Sequence, residues 1–335
     1  MTVFDSLQFG DIKRGPQNLI TDVPGVRVGH CTLSKGDIQT GVTAVIPHEG
    51  NIFKEKVLAC AHVINGFGKS AGLMQINELG TLETPVVLTN TFAVGTAVNA
   101  LIKYSLQRNP DIGLTTGTVN PVVLECNDGF LNDIRSMPVG EEHVRIALET
   151  ASVQFALGSV GAGMGMSCYG LKGGIGSSSR LILLDDSCFT LGCLVLSNFG
   201  SLSDLTVLGK KAAPEDRAES SDKGSVIIII ATDIPMSDRQ LLRMCKRAVN
   251  GLARTGSYTS NGSGEIALGF TTANRVYHYS EKHILSQNVL HEECMDIIFR
   301  SVSDSVEESV INSMLYARPA TGRAGHQRRA LSEMI

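Results

Sequence analysis

The sequence lacks tryptophan, and it lacks any run of Lys or Arg long enough to grip a phosphate backbone. Nucleic-acid binding depends largely on such basic clusters. Because the net charge of the chain is also −4, nucleic acid is not an expected partner. The longest purely apolar run, at residues 226–231, is far below the roughly 20 residues that a membrane-spanning helix needs. We therefore expect a globular protein with no membrane partner.

The eight cysteines form no Cys-x-x-Cys pair, and no His stands at metal-ligand spacing from them. Metal sites are usually built from such closely spaced ligands, so neither a metal nor any other cofactor is predicted. Residues 1–18 contain two acids and a Pro where a secretory signal would need an apolar core behind basic residues. These features favour reduced thiols and a cytoplasmic location.

Glycine is abundant, at 35 of 335 residues, which favours tight turns and close backbone packing. Hydrophobic patterning predicts strands at residues 25–28, 42–47, 57–64, 85–88, 181–184, 191–196 and 265–272. Helical spacing predicts helices at residues 94–107, 141–157 and 307–316, and one that starts at a capping box at Ser237 and stops at Gly251. This alternation is typical of a layered α/β protein.

The sharpest change in composition falls at residue 224. Residues 210–223 read KKAAPEDRAESSDK, an exposed loop with almost nothing to bury, and residues 226–231 read VIIIIA, which fits a strand covered on both faces. Gly224 and Ser225 join these two segments. An ordinary turn followed by a strand is enough to explain such a pair.

A serine in this position can also attack the carbonyl group that precedes it. Gly224 has no Cβ and would not crowd the tetrahedral intermediate. Hydrolysis after an N-to-O acyl shift would leave Ser225 at the start of a new chain, with an α-amine whose ordinary pKa of about 7.7–8.0 suits a general base. No His lies in the Gly-x-Ser-x-Gly context of Ser-His-Asp hydrolases, which fits a nucleophile that supplies its own base.

Eight blocks in collinear order resemble the L-aminopeptidase and D-amino-acid esterase/amidase (DmpA-like) family, which includes β-peptidyl aminopeptidases. The resemblance covers nearly the whole chain. The blocks are ITDVPGVRVGH at 20–30, TPVVLTNTFAVG at 84–95, ECNDGFLNDI at 125–134, LSNFG at 196–200, GSVIIIIATDIP at 224–235, GLARTGS at 251–257, SGEIALGFTTAN at 263–274 and TGRAGH at 321–326.

The resemblance implies a four-layer αββα sandwich of the DmpA and ornithine-acetyltransferase type. It also implies self-cleavage between Gly224 and Ser225, which gives an α chain of residues 1–224 and a β chain of residues 225–335. The two chains would be parts of one composite domain, and αβ units would assemble into a homo-oligomer, with a tetramer expected. The implied activity is release of N-terminal amino acids from peptides, amides or esters.

By the same resemblance, Ser225 matches the nucleophile, and Ser263 with Glu265 matches the pair that supports it. Two positions apart on a strand, these supporting side chains would point to one face, and the carboxylate would stabilise the ammonium form of the Ser225 amine. Asn198 matches the asparagine that donates to the oxyanion. Without the resemblance, Glu265 would be read as an exposed turn acid and Asn198 as a turn residue.

The free amine of the substrate needs an acidic partner, and Glu125 is the candidate, with Asp128 as the alternative. A turn at residues 127–129 would also explain this motif. Phe130 stands where some similar proteins have Tyr, so a hydroxyl contact to the intermediate would be missing. The loop that begins at Asn65 is a candidate for substrate binding, and Lys69 departs from the acidic residue of similar proteins, which predicts a different side-chain preference.

Three other functions remain open at this point. A nucleotide-binding protein would explain the glycines of residues 161–176 and the GKS of residues 68–70, but Val63 stands where a Walker loop needs Gly and no Gly follows at 166. An acyl transferase like the ornithine acetyltransferases would share the fold, with Thr as nucleophile. A non-catalytic small-molecule-binding protein would keep an intact chain of 35.7 kDa.

Overall fold

The structure, a computed structural model, describes residues 7–212 and 224–334. The helices in these residues are α1 (Leu73–Leu79), α2 (Val94–Arg108), α3 (Glu141–Glu149), α4 (Asp238–Cys245), α5 (Ala248–Arg254) and α6 (Met295–Leu315). The strands are β1 (Arg27–Lys35), β2 (Ile38–Ile46), β3 (Glu55–Gly66), β4 (Thr81–Leu82), β5 (Val86–Asn90), β6 (Val122–Cys126), β7 (Ser167–Cys168), β8 (Leu171–Lys172), β9 (Gly174–Leu184), β10 (Ser187–Asn198), β11 (Thr206–Val207), β12 (Lys210–Lys211), β13 (Ser225–Thr232), β14 (Gly264–Tyr277), β15 (Ala320–Thr321) and β16 (Gln327–Arg328).

Two sheets organise the chain. One has four strands in the order β1-β2-β5-β6, and the other has six strands in the order β4-β3-β14-β13-β10-β9. The neighbours β5 and β6 are parallel, as are β13 and β14, and the remaining neighbours within these two sheets are antiparallel. The predicted exposed loop of residues 210–223 begins with the short strand β12. Its residues 213–223 lie outside the described residues.

Three hydrophobic clusters separate four layers of secondary structure. The first lies between α2 with α3 and the four-stranded sheet and includes Leu101 and Val144. The second lies between the two sheets and includes Leu88 and Ile229. The third lies between the six-stranded sheet and α4, α5 and α6 and includes Val306. Because each sheet is covered by helices on one face and by the other sheet on the opposite face, the predicted αββα sandwich is confirmed.

The VIIIIA run forms the buried centre of β13, as predicted. Its residues alternate between two cores: Ile227, Ile229 and Ala231 face the other sheet, while Ile228 and Ile230 face the helices. Alternation of side chains across a strand produces this division. The run is apolar throughout because neither face of β13 meets solvent.

Two predicted helices have different ends. α3 stops at Glu149 rather than at residue 157, because Ser152 exchanges two backbone hydrogen bonds with Val28 and draws the chain onto the edge of β1. The helix that begins at the Ser237 capping box ends at Cys245, and a separate α5 follows. Gly251 lies inside α5, where a Cβ would approach the Cβ of Val306 in α6 to 2.6 Å. This glycine serves close helix packing and does not terminate a helix.

The strand directions bring functional residues to one edge of the six-stranded sheet. β13 and β14 start at this edge, and their antiparallel neighbours β10 and β3 end there. The carboxyl ends of β5 and β6, in the facing sheet, lie nearby, since Asn127, just after β6, accepts a hydrogen bond from Asn198 at the end of β10. None of the described helices is long and apolar enough to cross a membrane.

Candidate active site

Ser225 is the first residue of β13 and is only 7 % exposed. It lies in register with Asn198 on β10 and with Gly264 on β14. A neighbouring strand on each side fixes the backbone on which this serine is carried. The hydroxyl group is therefore held in one place before any substrate arrives.

The backbone N–H of Gly264 contacts both groups that a serine attack would bring together. It lies 3.2 Å from the carbonyl oxygen of Gly224 and 3.2 Å from the hydroxyl oxygen of Ser225. A donor aimed at the carbonyl oxygen stabilises the negative charge that develops there when the carbonyl carbon is attacked. The sequence predicts no role for Gly264, and its position between Ser263 and Glu265 is the only signal of one.

Both glycines at this point are required by close backbone packing. A Cβ on Gly224 would lie 2.1 Å from the carbonyl oxygen of Asn198 and 2.3 Å from the Cα of Phe199. A Cβ on Gly264 would lie 2.6 Å from the carbonyl oxygen of Phe67. The sequence predicts glycine at position 224 because a Cβ would crowd the tetrahedral intermediate. The structure adds a second reason, since the backbone of residues 198–199 occupies the space that a side chain at this position would need.

Ser263 and Glu265 lie side by side and are both fully buried. The Ser263 hydroxyl donates to Glu265 Oε1 at 3.0 Å, so the proximity expected from their spacing is present. The pairing of β14 with β3 shifts register between Glu265 and Ile266, and irregularities of this kind redirect side chains at strand ends. Ser263 and Glu265 flank Gly264, which lies in register with Ser225.

Asn65 supports this pair. Its side-chain amide donates to the carbonyl oxygens of Ser260 and Asn261, at 3.1 and 3.3 Å, and to that of Ser263. It therefore fixes the loop that delivers Ser263. The structure places this predicted substrate-binding residue at the site, with its amide committed to holding the loop.

Asn198 ends β10 directly beside Ser225. Its Oδ1 accepts from the backbone N–H of Ser167 at 2.9 Å, and its Nδ2 donates to the carbonyl oxygen of Asn127 at 2.9 Å. These bonds fix the orientation of the side chain, and an amide nitrogen carries two N–H groups. The second N–H can serve a developing oxyanion, which agrees with the role that the resemblance implies.

Glu125 is buried at the carboxyl end of β6, and its carboxylate receives two hydrogen bonds. Oε1 accepts from the backbone N–H of Lys69 at 2.8 Å, and Oε2 accepts from the Thr91 hydroxyl. The Lys69 loop also reaches Gly264, because the Phe67 carbonyl oxygen lies against that residue. Glu125 is thus connected to the nucleophile through one short loop, and its role toward a substrate amine stays a prediction.

Asp128, the alternative to Glu125, lies fully inside the protein. Thr40 and Asn132 donate hydrogen bonds to its two carboxylate oxygens. Burial raises the pKa of this carboxyl group to about 6, and the hydrogen bonds from Thr40, Asn132 and Asn90 oppose the shift. Asp128 binds side chains of β2 and of the segment after β6, whereas Glu125 binds the loop that reaches Gly264, so Glu125 is the better candidate to receive a substrate.

Phe130 lies farther from the nucleophile and is 37 % exposed. Its ring stacks on His326, with the ring centroids 4.6 Å apart, and the guanidinium of Arg328 lies 3.7 Å from its centroid. Arg328 Nε donates to the Ser167 hydroxyl at 3.2 Å. Because the Ser167 N–H also donates to Asn198, Phe130 is connected to the site through Arg328 and Ser167.

The glycine cluster of residues 161–176 turns out to hold Asn198 in place. It is organised by Lys172, whose buried ammonium donates to the carbonyl oxygens of Gly163, Met166 and Gly173 at 2.9, 3.0 and 2.7 Å. Ser167, the donor to Asn198, directly follows one of these carbonyls. Burial lowers the pKa of the lysine to about 7.

Within residues 7–212 and 224–334, no group of three or more His, Cys, Asp or Glu side chains is arranged to hold a metal ion. The side chains gathered around Ser225 are a carboxylate with a hydroxyl, an amide and a second carboxylate. Together with the backbone N–H of Gly264, they form a hydroxyl nucleophile flanked by oxyanion donors and acids. This arrangement suits acyl transfer.

Comparison with known proteins agrees with this arrangement. The sequence profile of peptidase family S58 matches residues 18–328. The chain is 35 % identical to the β-peptidyl aminopeptidase BapA of Sphingosinicella microcystinivorans over 342 residues, which cover 94 % of this chain and 85 % of BapA. Both the family and the relatives favour the peptidase over the nucleotide-binding and acyl-transferase alternatives.

Solved structures give the same result for the fold. The PH0078 protein of Pyrococcus horikoshii OT3 superposes with a TM-score of 0.92 at 50 % identity, covering 97 % of this chain and 94 % of that one. The L-aminopeptidase D-Ala-esterase/amidase of Ochrobactrum anthropi, described as a variant of the N-terminal-nucleophile hydrolase fold, superposes with a TM-score of 0.89 at 34 % identity, covering 96 % and 93 %. The chain belongs to peptidase family S58.

Proposed function

We propose that the chain cuts itself between Gly224 and Ser225 and then acts as an aminopeptidase with Ser225 as its N-terminal nucleophile. The observation that carries this proposal is the shared contact of the Gly264 N–H with the Gly224 carbonyl oxygen and the Ser225 hydroxyl oxygen. A donor in that position activates the bond to be cut. Membership of a peptidase family supports the same conclusion.

Self-cleavage follows from this contact in two steps. The Ser225 hydroxyl oxygen attacks the Gly224 carbonyl carbon, the peptide C–N bond breaks, and an ester joins the two residues. The hydroxyl proton passes to the departing nitrogen, which becomes the free amine of Ser225. Water then hydrolyses the ester, which leaves a carboxylate on Gly224 and restores the Ser225 hydroxyl. The Gly264 N–H stabilises the oxyanion in both steps.

Turnover of substrates reuses the same atoms. The free amine of Ser225, with an ordinary pKa near 8, accepts the proton of its own hydroxyl, and the Ser263–Glu265 pair stabilises the resulting ammonium. Asn198 and the Gly264 N–H receive the oxyanion of the substrate. Glu125 binds the substrate amine, which restricts cleavage to the first residue of a peptide, amide or ester.

The two products of self-cleavage stay together as one composite domain. Residues 225–335 contribute β13 and β14, which lie in the middle of the six-stranded sheet between β3 and β10 of residues 1–224. Separation would break the β13–β10 and β14–β3 ladders and expose the cores on both faces of the sheet. The α and β chains are therefore each other's obligatory partners.

We further infer that αβ units assemble into a homo-oligomer, with a tetramer as the expected state. The segment of residues 279–290 supports this inference, because it exposes large apolar side chains, among them Ile284 at 88 % and Val289 at 57 %. Exposed apolar clusters of this kind often mark interfaces. The eight free cysteines fit a reducing compartment such as the cytoplasm.

The test compares wild type with Ser225→Ala and with a control, Ser187→Ala, which removes an exposed hydroxyl at the start of β10, the end of that strand opposite Asn198. Wild type and control should separate into two chains on denaturing electrophoresis, and the smaller chain should begin SVIIII. Ser225→Ala should remain one chain and release no p-nitroaniline from aminoacyl p-nitroanilides. Activity of that variant, or of an uncut wild-type chain, would contradict the proposal.

A further inference from the structure

The loop of residues 66–70 spans the distance between the nucleophile and Glu125. At one end, the Phe67 carbonyl oxygen lies against Gly264, whose N–H contacts the Ser225 hydroxyl oxygen at 3.2 Å. At the other end, the Lys69 N–H donates to Glu125 Oε1 at 2.8 Å. A substrate whose amine reaches Glu125 and whose carbonyl reaches Ser225 must therefore lie along this loop.

Lys69 adds a positive charge beside that path. Its side chain is exposed. Its Nζ lies 4.6 Å from the ring centroid of Phe67, and a cation–π contact at this distance holds the lysine side chain against the loop. Among the residues that the structure describes, no carboxylate lies within 4.0 Å of this ammonium. The site thus offers the Glu125 carboxylate for an amine and, on the residue whose backbone N–H donates to that carboxylate, the Lys69 ammonium for an acid.

We propose that the preferred acyl group carries a carboxylate next to its free amine, which makes β-aspartyl (isoaspartyl) peptides the substrate class of this enzyme. The inference rests on the proposed aminopeptidase function and deepens it. Glu125 would bind the ammonium group of the substrate and Lys69 the neighbouring carboxylate, so that Lys69 is a specificity-determining residue.

The chemistry of the β-aspartyl group matches the order of these residues. Its amine and free carboxylate share one carbon, and a methylene separates that carbon from the carbonyl that Ser225 would attack. The group is a β-amino acid, the class named for the relative BapA. Hydrolysis adds one water, breaks the amide bond and releases aspartate and an amine, so the reaction needs no co-reactant.

Two p-nitroanilides test the proposal with one leaving group. β-Alanyl p-nitroanilide differs from β-aspartyl p-nitroanilide only in lacking the carboxylate. We expect the kcat/KM of wild type to be at least about tenfold higher for the β-aspartyl compound than for the β-alanyl compound, which is the scale of one charge-assisted hydrogen bond at a partly exposed site. α-Aspartyl p-nitroanilide, in which the carboxylate lies one carbon farther from the amine, should be the poorer aspartyl substrate.

Charge reversal at Lys69 tests whether this residue binds the substrate carboxylate. The ratio of kcat/KM for β-aspartyl over β-alanyl p-nitroanilide should fall by about 100-fold in Lys69→Glu and by about tenfold in Lys69→Met. Lys54→Glu, which reverses the charge of another exposed lysine at the opposite end of β3 from the loop of residues 66–70, should leave the ratio unchanged. Self-cleavage, seen by electrophoresis, reports whether each variant has folded.

The outcomes separate this inference from the proposed function. If wild type cuts itself and hydrolyses β-alanyl p-nitroanilide as well as the β-aspartyl compound, the substrate class is wrong while the aminopeptidase stands. A preference for α-aspartyl p-nitroanilide, or an unchanged ratio in Lys69→Glu, also overturns the inference. If processed wild type hydrolyses none of the three compounds and no other aminoacyl p-nitroanilide, the proposed function itself fails.

Discussion

Replacing Lys172 by Met should change the pH dependence of stability in a direction that the structure fixes. The lysine is fully buried, and burial lowers the pKa of its ammonium group from 10.5 to about 7, against the opposing influence of Cys168 and Asp128. Between these two pH values the folded protein holds the neutral amine while the unfolded chain holds the charged one. Since the unfolded state then binds more protons, the free energy of unfolding must rise with pH in this window.

The magnitude follows from the same two pKa values. Each pH unit contributes at most about 1.4 kcal/mol, so Lys172 should add about 2–3 kcal/mol to the free energy of unfolding between pH 7 and pH 9. Below pH 7, both states carry the charge and the contribution is constant. Met cannot titrate, so the difference between wild type and Lys172→Met isolates this one group from the cysteines and other residues that titrate in the same range.

Urea unfolding at pH 6, 7.5 and 9 measures the difference, in a Ser225→Ala background so that one unbroken chain unfolds. The stability of the Lys172 protein relative to Lys172→Met should be lowest at pH 6 and increase toward pH 9. Lys103→Met, which alters a solvent-exposed lysine, is the matched control and should show no such trend. A difference that stays flat or declines from pH 6 to pH 9 would refute the argument.

Three further predictions concern the candidate site. Gly224→Ala should slow self-cleavage at least about tenfold on a time course of electrophoresis, because its Cβ would overlap the backbone of residues 198–199; cleavage at the wild-type rate would contradict this reading. Asn198→Ala should lower kcat by roughly 10²–10³ through loss of an oxyanion donor, and steady-state kinetics with the processed enzyme will reveal a smaller role if KM alone changes. Asn65→Asp should impair both cleavage and kcat, because a carboxylate would repel the three carbonyl oxygens that the amide now holds; an active, processed variant would rule out the role in positioning Ser263.

The parts of the fold that the sequence predicts well are those that depend on local pattern. The apolar run after Ser225 forms β13 with both faces buried, and the capping box at Ser237 begins α4, with Ser237 Oγ accepting from the Gln240 N–H. The strands predicted at residues 181–184 and 191–196 lie in β9 and β10, which a short turn joins into an antiparallel pair with Leu181 opposite Thr190. The capping box and the turn between β9 and β10 involve residues close together in the chain, and the unbroken apolar run of β13 is itself a local signal of a strand that is covered on both faces.

The errors arose where distant segments compete with local preference. The helical pattern of residues 141–157 continues past Glu149, but pairing of Ser152 with Val28 offers those residues backbone partners outside the helix. At Gly251, a residue that commonly ends helices instead permits the close approach of α6. Contacts between residues more than 50 apart leave no periodic signal, so a single sequence does not reveal them.

The candidate site divides in the same way. Ser225, Asn198, Ser263 and Glu265 belong to motifs and were predicted by resemblance, and the structure brings all four to one edge of the sheet. The Gly264 N–H and the amide contacts of Asn65 depend on backbone atoms, which every residue has. The amino-acid sequence does not distinguish one backbone donor or acceptor from another. The exception is a glycine at a point where two backbone segments must pass closely.

The place of Ser225 in the sheet suits the amine that the proposed self-cleavage would free. A new chain start is ordinarily free to fray, and a mobile amine would rarely face its hydroxyl and a substrate together. Here β10 and β14 pair with β13 from its first residue, opposite Asn198 and Gly264. The ladders on both sides hold the amine in position, as a buried Asp holds the His of a Ser-His-Asp site. In the proposed mechanism, a cut directly before the first residue of an interior strand would create the base and fix it in the same step, which a cut in an exposed loop would not achieve.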